Sequence, residues 1–279
     1  MREIDVSQIE QAVCDLFLSA CCEIGEDVLR LLHERMEQEE SPFGRDVLRQ
    51  LIENDELAAR RKMPICQDTG MAVVFMDVGQ DVHFTGGDIN RAIEQGVRRA
   101  YREGYFRASV LTPLTRINTG DNTPAIVHMR IVPGEQVTLT AAPKGFGSEN
   151  MSKLWMLTPS QGIEGVKDAV VETVRLAGGN PCPPVVVGVG IGGTAECAML
   201  MAKHSLTREC GTPSADPMLA GMEKELLARI NRLGIGPQGL GGRTTALAVH
   251  IEQMPTHIAG LPVAVNMQCH AARHKMVTV

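Results

Sequence analysis

From residue 9 to residue 36 the apolar positions return at helical spacing, through Ile9, Val13, Leu16, Phe17, Ala20, Ile24, Val28 and Leu31, and predict one amphipathic helix. Ser41-Pro42-Phe43-Gly44 interrupts the pattern, and residues 45–60 read as a second helix. The unbroken apolar run 71–78 predicts a buried strand, with a helix after it from about residue 87 to residue 103. Residues 125–132 and 136–142 read as strands, and Pro133-Gly134-Glu135 between them suits a hairpin. A helix follows over 162–177. An apolar strand at 184–189 then turns through the glycines of 188–193 into another helix, and 215–233 is helical again. The last predicted strands are 244–251 and 262–267. Helices first, then strands and helices interspersed, indicate an α+β (mixed α/β) fold. The expectation is one domain over 1–279, with N-terminal helices followed by a mixed β-sheet core flanked by helices.

Composition narrows the chemistry. Hydrophobic residues make up 44% of the chain but aromatics only 3%, so the core must be aliphatic. The formal net charge is -6 and no basic stripe runs along a predicted helix, which argues against a nucleic-acid partner. No apolar run reaches the ~20 residues that span a bilayer. The opening Met1-Arg2-Glu3-Ile4-Asp5 lacks a secretory pattern. The expected location is cytoplasmic, where thiols stay reduced, so the eight cysteines read as packing residues or metal ligands rather than a disulfide framework.

Those cysteines fall into two groups. Cys14, Cys21 and Cys22 lie in the first predicted helix and Cys197 in a later one, where a thiol packs as a small hydrophobe. Cys210 lies beside Gly211 and Pro213 in a loop and carries no specific reading. Cys66 instead precedes the polar turn Gln67-Asp68-Thr69-Gly70, Cys182 is enclosed by prolines, and Cys269 ends a strand ahead of His270. Each stands where an element meets a turn, so its thiolate can face a cavity from a stiff backbone. Thiolates so placed suit an iron–sulfur cluster, although there is no Cys-x-x-Cys pair and ordinary thiols remain the other reading of the spacing.

Three glycine-dense segments form a second constellation. Gly188-Val189-Gly190-Ile191-Gly192-Gly193 fits G-x-G-x-x-G after a strand and before a helix, the dinucleotide fingerprint, and makes an NAD-dependent oxidoreductase the rival reading. No clean βαβ unit leads on to an acidic strand end, and Glu209, the nearest acidic candidate, lies in a loop. Close backbone approach to something else is the competing role for these glycines. Lys144-Gly145-Phe146-Gly147-Ser148-Glu149-Asn150 could present backbone N–H groups to a carboxylate, or be a plain loop with Ser148 as a helix N-cap. The third segment, 234–242, adds to the impression of a crowded anionic site.

Read in order, Cys66-Gln67-Asp68-Thr69-Gly70, Asn118-Thr119-Gly120, the 144–150 segment, Cys182-Pro183-Pro184, the 188–193 glycines and 234–239 resemble the class I fumarase family. These are iron–sulfur hydro-lyases that also include L-tartrate dehydratase. The resemblance covers nearly the whole chain. It implies a 4Fe–4S cluster held by Cys66, Cys182 and Cys269, with one iron left open as a Lewis acid for the substrate hydroxyl. It places Gln67 and Asp68 at the substrate, with Asp68 near proton transfer. It maps a substrate-binding arginine onto Arg107, puts Gly145, Ser148 and Asn150 in the same pocket, and matches His257 to a catalytic histidine that reaches a neighbouring subunit's site.

Within the family, the 144–150 segment and Gln268-Cys269-His270-Ala271-Ala272-Arg273-His274 look more like fumarase. Malate and fumarate are therefore the first expectation, and a tartrate or methyl-substituted dicarboxylate dehydratase the second. One-chain members continue into another domain where this sequence reaches Val279. The resemblance therefore implies the alpha subunit of a two-subunit enzyme, inactive alone. It would pair with a separate beta subunit in a heterotetramer or through a homodimer of alpha subunits, and act in the tricarboxylic acid cycle.

Overall fold

The computed structural model describes residues 1–279 and confirms the α+β class. The chain divides into two compact units. One comprises Met1–Ile24, Asp55–Phe146 and Arg273–Val279; the other comprises Gly25–Asn54 and Gly147–Ala272. The predicted N-terminal helix is two helices, α1 (Val6–Cys22) and α2 (Glu26–Gln38). The apolar stripe runs through both, but Glu23 turns extended and caps α1 through its N–H to the Ser19 carbonyl, and Gly25 is the N-cap of α2. Periodicity does not register a break that keeps the stripe in phase. The Ser41-Pro42 interruption is in turn the start of α3 (Pro42–Arg61). The Ser41 hydroxyl accepts the Gly44 N–H, and Pro42 occupies the first turn, where its missing N–H costs nothing.

In the first unit, β1 (Arg2–Asp5) pairs in parallel with β3 (Val82–Thr85), two short strands that periodicity does not reveal. The main sheet contains β2 (Met71–Gly79), β4 (Ile126–Val132), β5 (Val137–Lys144) and β10 (Lys275–Thr278), in the order β10-β5-β2-β4. The expected hairpin of 125–142 does not form. β2 lies between β4 and β5, parallel to one and antiparallel to the other. Pro133-Gly134-Glu135 therefore arches over the end of β2, where the Gln80 and Asp81 N–H groups donate to the Val132 and Gly134 carbonyls. Ile9, Val13 and Phe17 of α1 and Ile93, Val97 and Ala100 of α4 (Ile89–Glu103) bury one face of this sheet against Val74, Met76, Leu139 and Ala141.

In the second unit the strands are β6 (Lys153–Leu157), β7 (Val185–Gly193), β8 (Ala246–Thr256) and β9 (Leu261–Gln268), ordered β6-β9-β7-β8. α6 (Gly162–Ala177) and α8 (Pro217–Asn231) pack Val166, Val170, Leu226 and Ile230 onto Val185, Val187 and Val189. The glycines of 188–193 are not a turn, as the sequence suggested, but the body of β7. Alternation sends Gly188 and Gly190 to the opposite face, against α7 (Ala195–His204). There a Cβ would meet the Ala202 carbonyl oxygen at 2.0 Å or the Ala198 carbonyl oxygen at 2.1 Å. Their backbone is sealed by a helix and offers no cradle to a pyrophosphate, so the dinucleotide reading falls. Close backbone approach is what these glycines allow. No helix is long and apolar enough to cross a membrane.

Candidate active site

The Cys66–Gly70 turn is built on three consecutive carbonyls. The Asp68 carbonyl accepts Nη2 of Arg273 at 2.7 Å, and the Gly70 carbonyl accepts Nδ2 of Asn122 at 3.1 Å. The Tyr101 hydroxyl lies 2.8 Å from both the Thr69 and the Gly70 oxygens, with the Cys21 thiol 3.8 Å from Thr69. Burial pushes the Tyr101 hydroxyl well above its ordinary range and the Cys21 thiol up to about 12, so both remain proton donors. Gly70 has φ +79°, and a Cβ there would strike the Lys144 backbone at 2.7 Å, which is why this turn needs glycine.

Cys66 and Asp68 are half-buried and Gln67 is exposed; the Cys66 thiol donates to the Gln67 side-chain oxygen at 3.1 Å. The Asp68 carboxylate is fixed by backbone amides. Oδ1 accepts the Gly70 N–H at 3.0 Å and Oδ2 the Phe146 N–H at 2.9 Å. Gly145 lies against it, since a Cβ at that residue would stand 3.2 Å from Oδ2. Arg107 is exposed, and its backbone is clasped by the buried Thr69 hydroxyl. The Asn118-Thr119-Gly120 motif braces the same segment, Asn118 through the Ala108 carbonyl and Thr119 through the Val110 carbonyl. Beyond it, burial acts to raise Asp121, but the Thr123 hydroxyl, Arg98 and the Thr123 N–H outweigh it and hold the carboxyl down at about 2. The structure thus brings Cys66, Gln67, Asp68, Arg107 and Gly145 into one unit.

In the other unit Cys182 and Cys269 occupy adjoining loops, at the start of β7 and the end of β9, where the His270 N–H donates to the Cys182 carbonyl at 3.2 Å. Cys182 is exposed with φ +55°, a left-handed conformation uncommon for a residue with a Cβ. Around it, the Gln238 N–H and side-chain amide both donate to the Pro183 carbonyl, and a Cβ on Gly147 would stand 3.7 Å from the Asn180 carbonyl oxygen. Two of the glycine-dense segments therefore pack on the Cys182 loop. Ser148 is buried inside the short helix α5 (Phe146–Glu149) instead of capping it, and Asn150 is exposed just beyond. His257 is exposed in the loop between β8 and β9. It stands across the eight-residue strand β9 from Cys269, about 26 Å at the ~3.3 Å rise of a strand residue.

Cys14, Cys21, Cys22 and Cys210 are buried, whereas Cys66, Cys182, Cys197 and Cys269 are not. No group of three or more His, Cys, Asp or Glu side chains is gathered as a metal site. Sequence reading passed over Thr69, Tyr101, Asn122 and Arg273, the residues that build the Asp68 turn. Of these, Thr69 and Arg273 stand inside segments already singled out.

Comparison with known proteins places the chain in a family. The family described as "Fumarate hydratase (Fumerase)" matches residues 10–278. A protein of Methanocaldococcus jannaschii, provisionally named L(+)-tartrate dehydratase subunit alpha, is 44% identical over 274 residues, 95% of each chain. The L(+)-tartrate dehydratase subunit alpha of Escherichia coli strain UTI89 is 31% identical over 278 residues, 98% of this chain and 91% of its own. The chain belongs to the class I fumarate hydratase and L-tartrate dehydratase family of hydro-lyases, and is of the alpha-subunit type.

Proposed function

We propose that this chain is the cluster-binding alpha subunit of a hydro-lyase that removes water from a 2-hydroxydicarboxylate and, in reverse, adds it. The observation that carries the reading is the Asp68 carboxylate, held by the Gly70 and Phe146 amides one residue from Gln67 and two from Cys66. A base in that position takes a proton from the carbon next to the hydroxyl-bearing one. The electron pair left behind forms the carbon–carbon double bond, and the hydroxyl leaves with its own pair, as water once protonated. Arg107 suits the far carboxylate because its fork bonds both oxygens. Gly145, lacking a side chain, lets the chain pass close against Asp68. Ser148 and Asn150 belong to the same pocket, and His257, remote from Cys269 along β9, serves the site of a neighbouring subunit.

The donor set fits a 4Fe–4S cluster. Cys66, Cys182 and Cys269 are loop thiols outside the core, two of them in adjoining loops, and thiolates are its ordinary ligands. When bound, such a cluster supplies a Lewis-acidic iron for the substrate hydroxyl. A separate beta subunit completes the enzyme, as the relatives' names imply for them.

The sequence motifs favour malate and fumarate. The names of the relatives favour L(+)-tartrate at least as strongly. Anoxic purification with the beta subunit, followed by parallel fumarate-hydration and tartrate-dehydration assays, distinguishes them by kcat/KM. Activity on neither substrate, from a preparation that takes up no iron on reconstitution, overturns the proposal. Cys182→Ser is expected to abolish iron retention; unchanged iron content removes Cys182 from the ligand set.

A further inference from the structure

We propose that Arg273 is the positioning residue for Asp68, an inference that rests on the reading of Asp68 as the proton-handling group. Arg273 is only 3% exposed. A buried guanidinium normally faces a carboxylate, because an unpaired charge in the interior is strongly disfavoured. Arg273 has no such partner. Its one hydrogen bond runs from Nη2 to the backbone carbonyl of Asp68 at 2.7 Å, and its buried Nε and Nη1 have no acceptor. Its charge acts on the Cys21 and Cys22 thiols and on the Tyr101 hydroxyl. Burial keeps all three protonated, so they do not neutralise it.

The protein therefore keeps a costly cation behind one peptide, the one whose side chain is Asp68. The geometry explains the use. A Cβ on Gly145 would lie 3.2 Å from Asp68 Oδ2 and 4.0 Å from Arg273 Nη2, so carboxylate and guanidinium border the same small space. Arg273 fixes the carbonyl of Asp68 while the Gly70 and Phe146 amides fix its carboxylate. Together these contacts hold the carboxylate beside Gly145 and oppose its rotation away from that position. A fixed positive charge at this distance also favours negative charge developing in front of the turn, without being consumed by a salt bridge.

The test is a double-mutant cycle in the cluster-loaded complex with the beta subunit, using Arg273→Met, Asp68→Asn and the double variant. A misplaced acid–base group costs about 100-fold in rate. Arg273→Met is therefore expected to lower kcat by about that factor, at parental KM and parental iron content, and to lower it no further in the Asp68→Asn background. Arg273→Lys, which keeps one donor for the Asp68 carbonyl, should recover most of the loss. Hydrogen exchange of the Gly70 and Phe146 amides should accelerate in Arg273→Met and stay slow in Arg273→Lys. Parental kcat in Arg273→Met, or a loss that multiplies with that of Asp68→Asn, overturns the proposal. If Arg273→Met does not fold, Arg273→Gln carries the same cycle with the same opposing outcomes. An active parent in which Asp68→Asn keeps full activity overturns the reading of Asp68 itself. An inactive Asp68→Asn with multiplying losses overturns only the role of Arg273.

Discussion

The Thr69 hydroxyl accepts the backbone N–H of Arg107 at 3.0 Å and lies 3.3 Å from the carbonyl oxygen of the same residue, to which it donates. The turn that carries Asp68 and the loop that carries Arg107 are thereby held by one side chain. Thr69→Val keeps the shape and removes both bonds, at a cost of about 1 kcal/mol in stability. In the active complex KM should rise about tenfold, equivalent to ~1.4 kcal/mol of binding, with kcat changed much less. Denaturant melts and steady-state kinetics check the two effects. A parental KM would remove Thr69 from the binding apparatus.

Glu39 gives a pH signature. It is 1% exposed and accepts the N–H groups of Ser41, Arg243 and Thr244 together with the Thr244 hydroxyl. Burial acts to raise it, but these donors outweigh burial and leave the carboxyl below its ordinary 4.5. A carboxylate lowered on folding stabilises the native state above its unfolded pKa, and that contribution is lost as pH falls through the folded value. Glu39→Gln should cost about 1.5–3 kcal/mol at pH 7. The gap between parent and variant should stay constant down to about pH 5 and close below that ordinary value of 4.5. A gap independent of pH from 7 to 3 would contradict this account.

Gly190 tests the packing of β7. Its missing Cβ would stand 2.1 Å from the Ala198 carbonyl oxygen, which no rotamer change can relieve. Gly190→Ala should destabilise the protein by about 3 kcal/mol, measured by urea melts. It should act on stability without creating or removing any affinity for NAD.

The thiols separate by environment. Iodoacetamide at pH 8 should label Cys182 fastest in the iron-free chain, with Cys66, Cys197 and Cys269 following. It should spare Cys14, Cys21, Cys22 and Cys210, all buried, with thiols pushed up by desolvation. After cluster reconstitution Cys66, Cys182 and Cys269 should become protected while Cys197 stays reactive. Mass spectrometry of the labelled peptides reads the pattern; undiminished labelling of all three in iron-loaded protein would refute the ligand assignment.

The sequence revealed elements well where a single period spans the whole element, as in α6, which runs from Gly162 to Ala177 as predicted. It misled where pairing is non-local. Adjacent strands with a Pro-Gly turn look like a hairpin, and nothing in residues 125–142 signals that β2 will come between them. The glycines of β7 show the same limit, since a G-x-G-x-x-G string reads alike whether it wraps a phosphate or lies under α7. At the candidate site, the sequence singled out Cys66, Cys182 and Cys269 by the turns beside them, and Asp68 through the family resemblance. Arg273 and Tyr101 were not legible in it, because their work is done on backbone carbonyls of residues distant in sequence, and backbone acceptors leave no mark on composition or spacing.

The brace on the Asp68 turn has a consequence for biosynthesis. Asp68 and Arg273 are 205 positions apart, so the turn leaves the ribosome long before the side chain that holds it, with most of the second unit made in between. Any nascent chain halted earlier carries the acidic turn and Cys66 without their support. The competent form of this turn is thus a late event in translation, and chains released prematurely should be distinguishable by protease cleavage near residue 68.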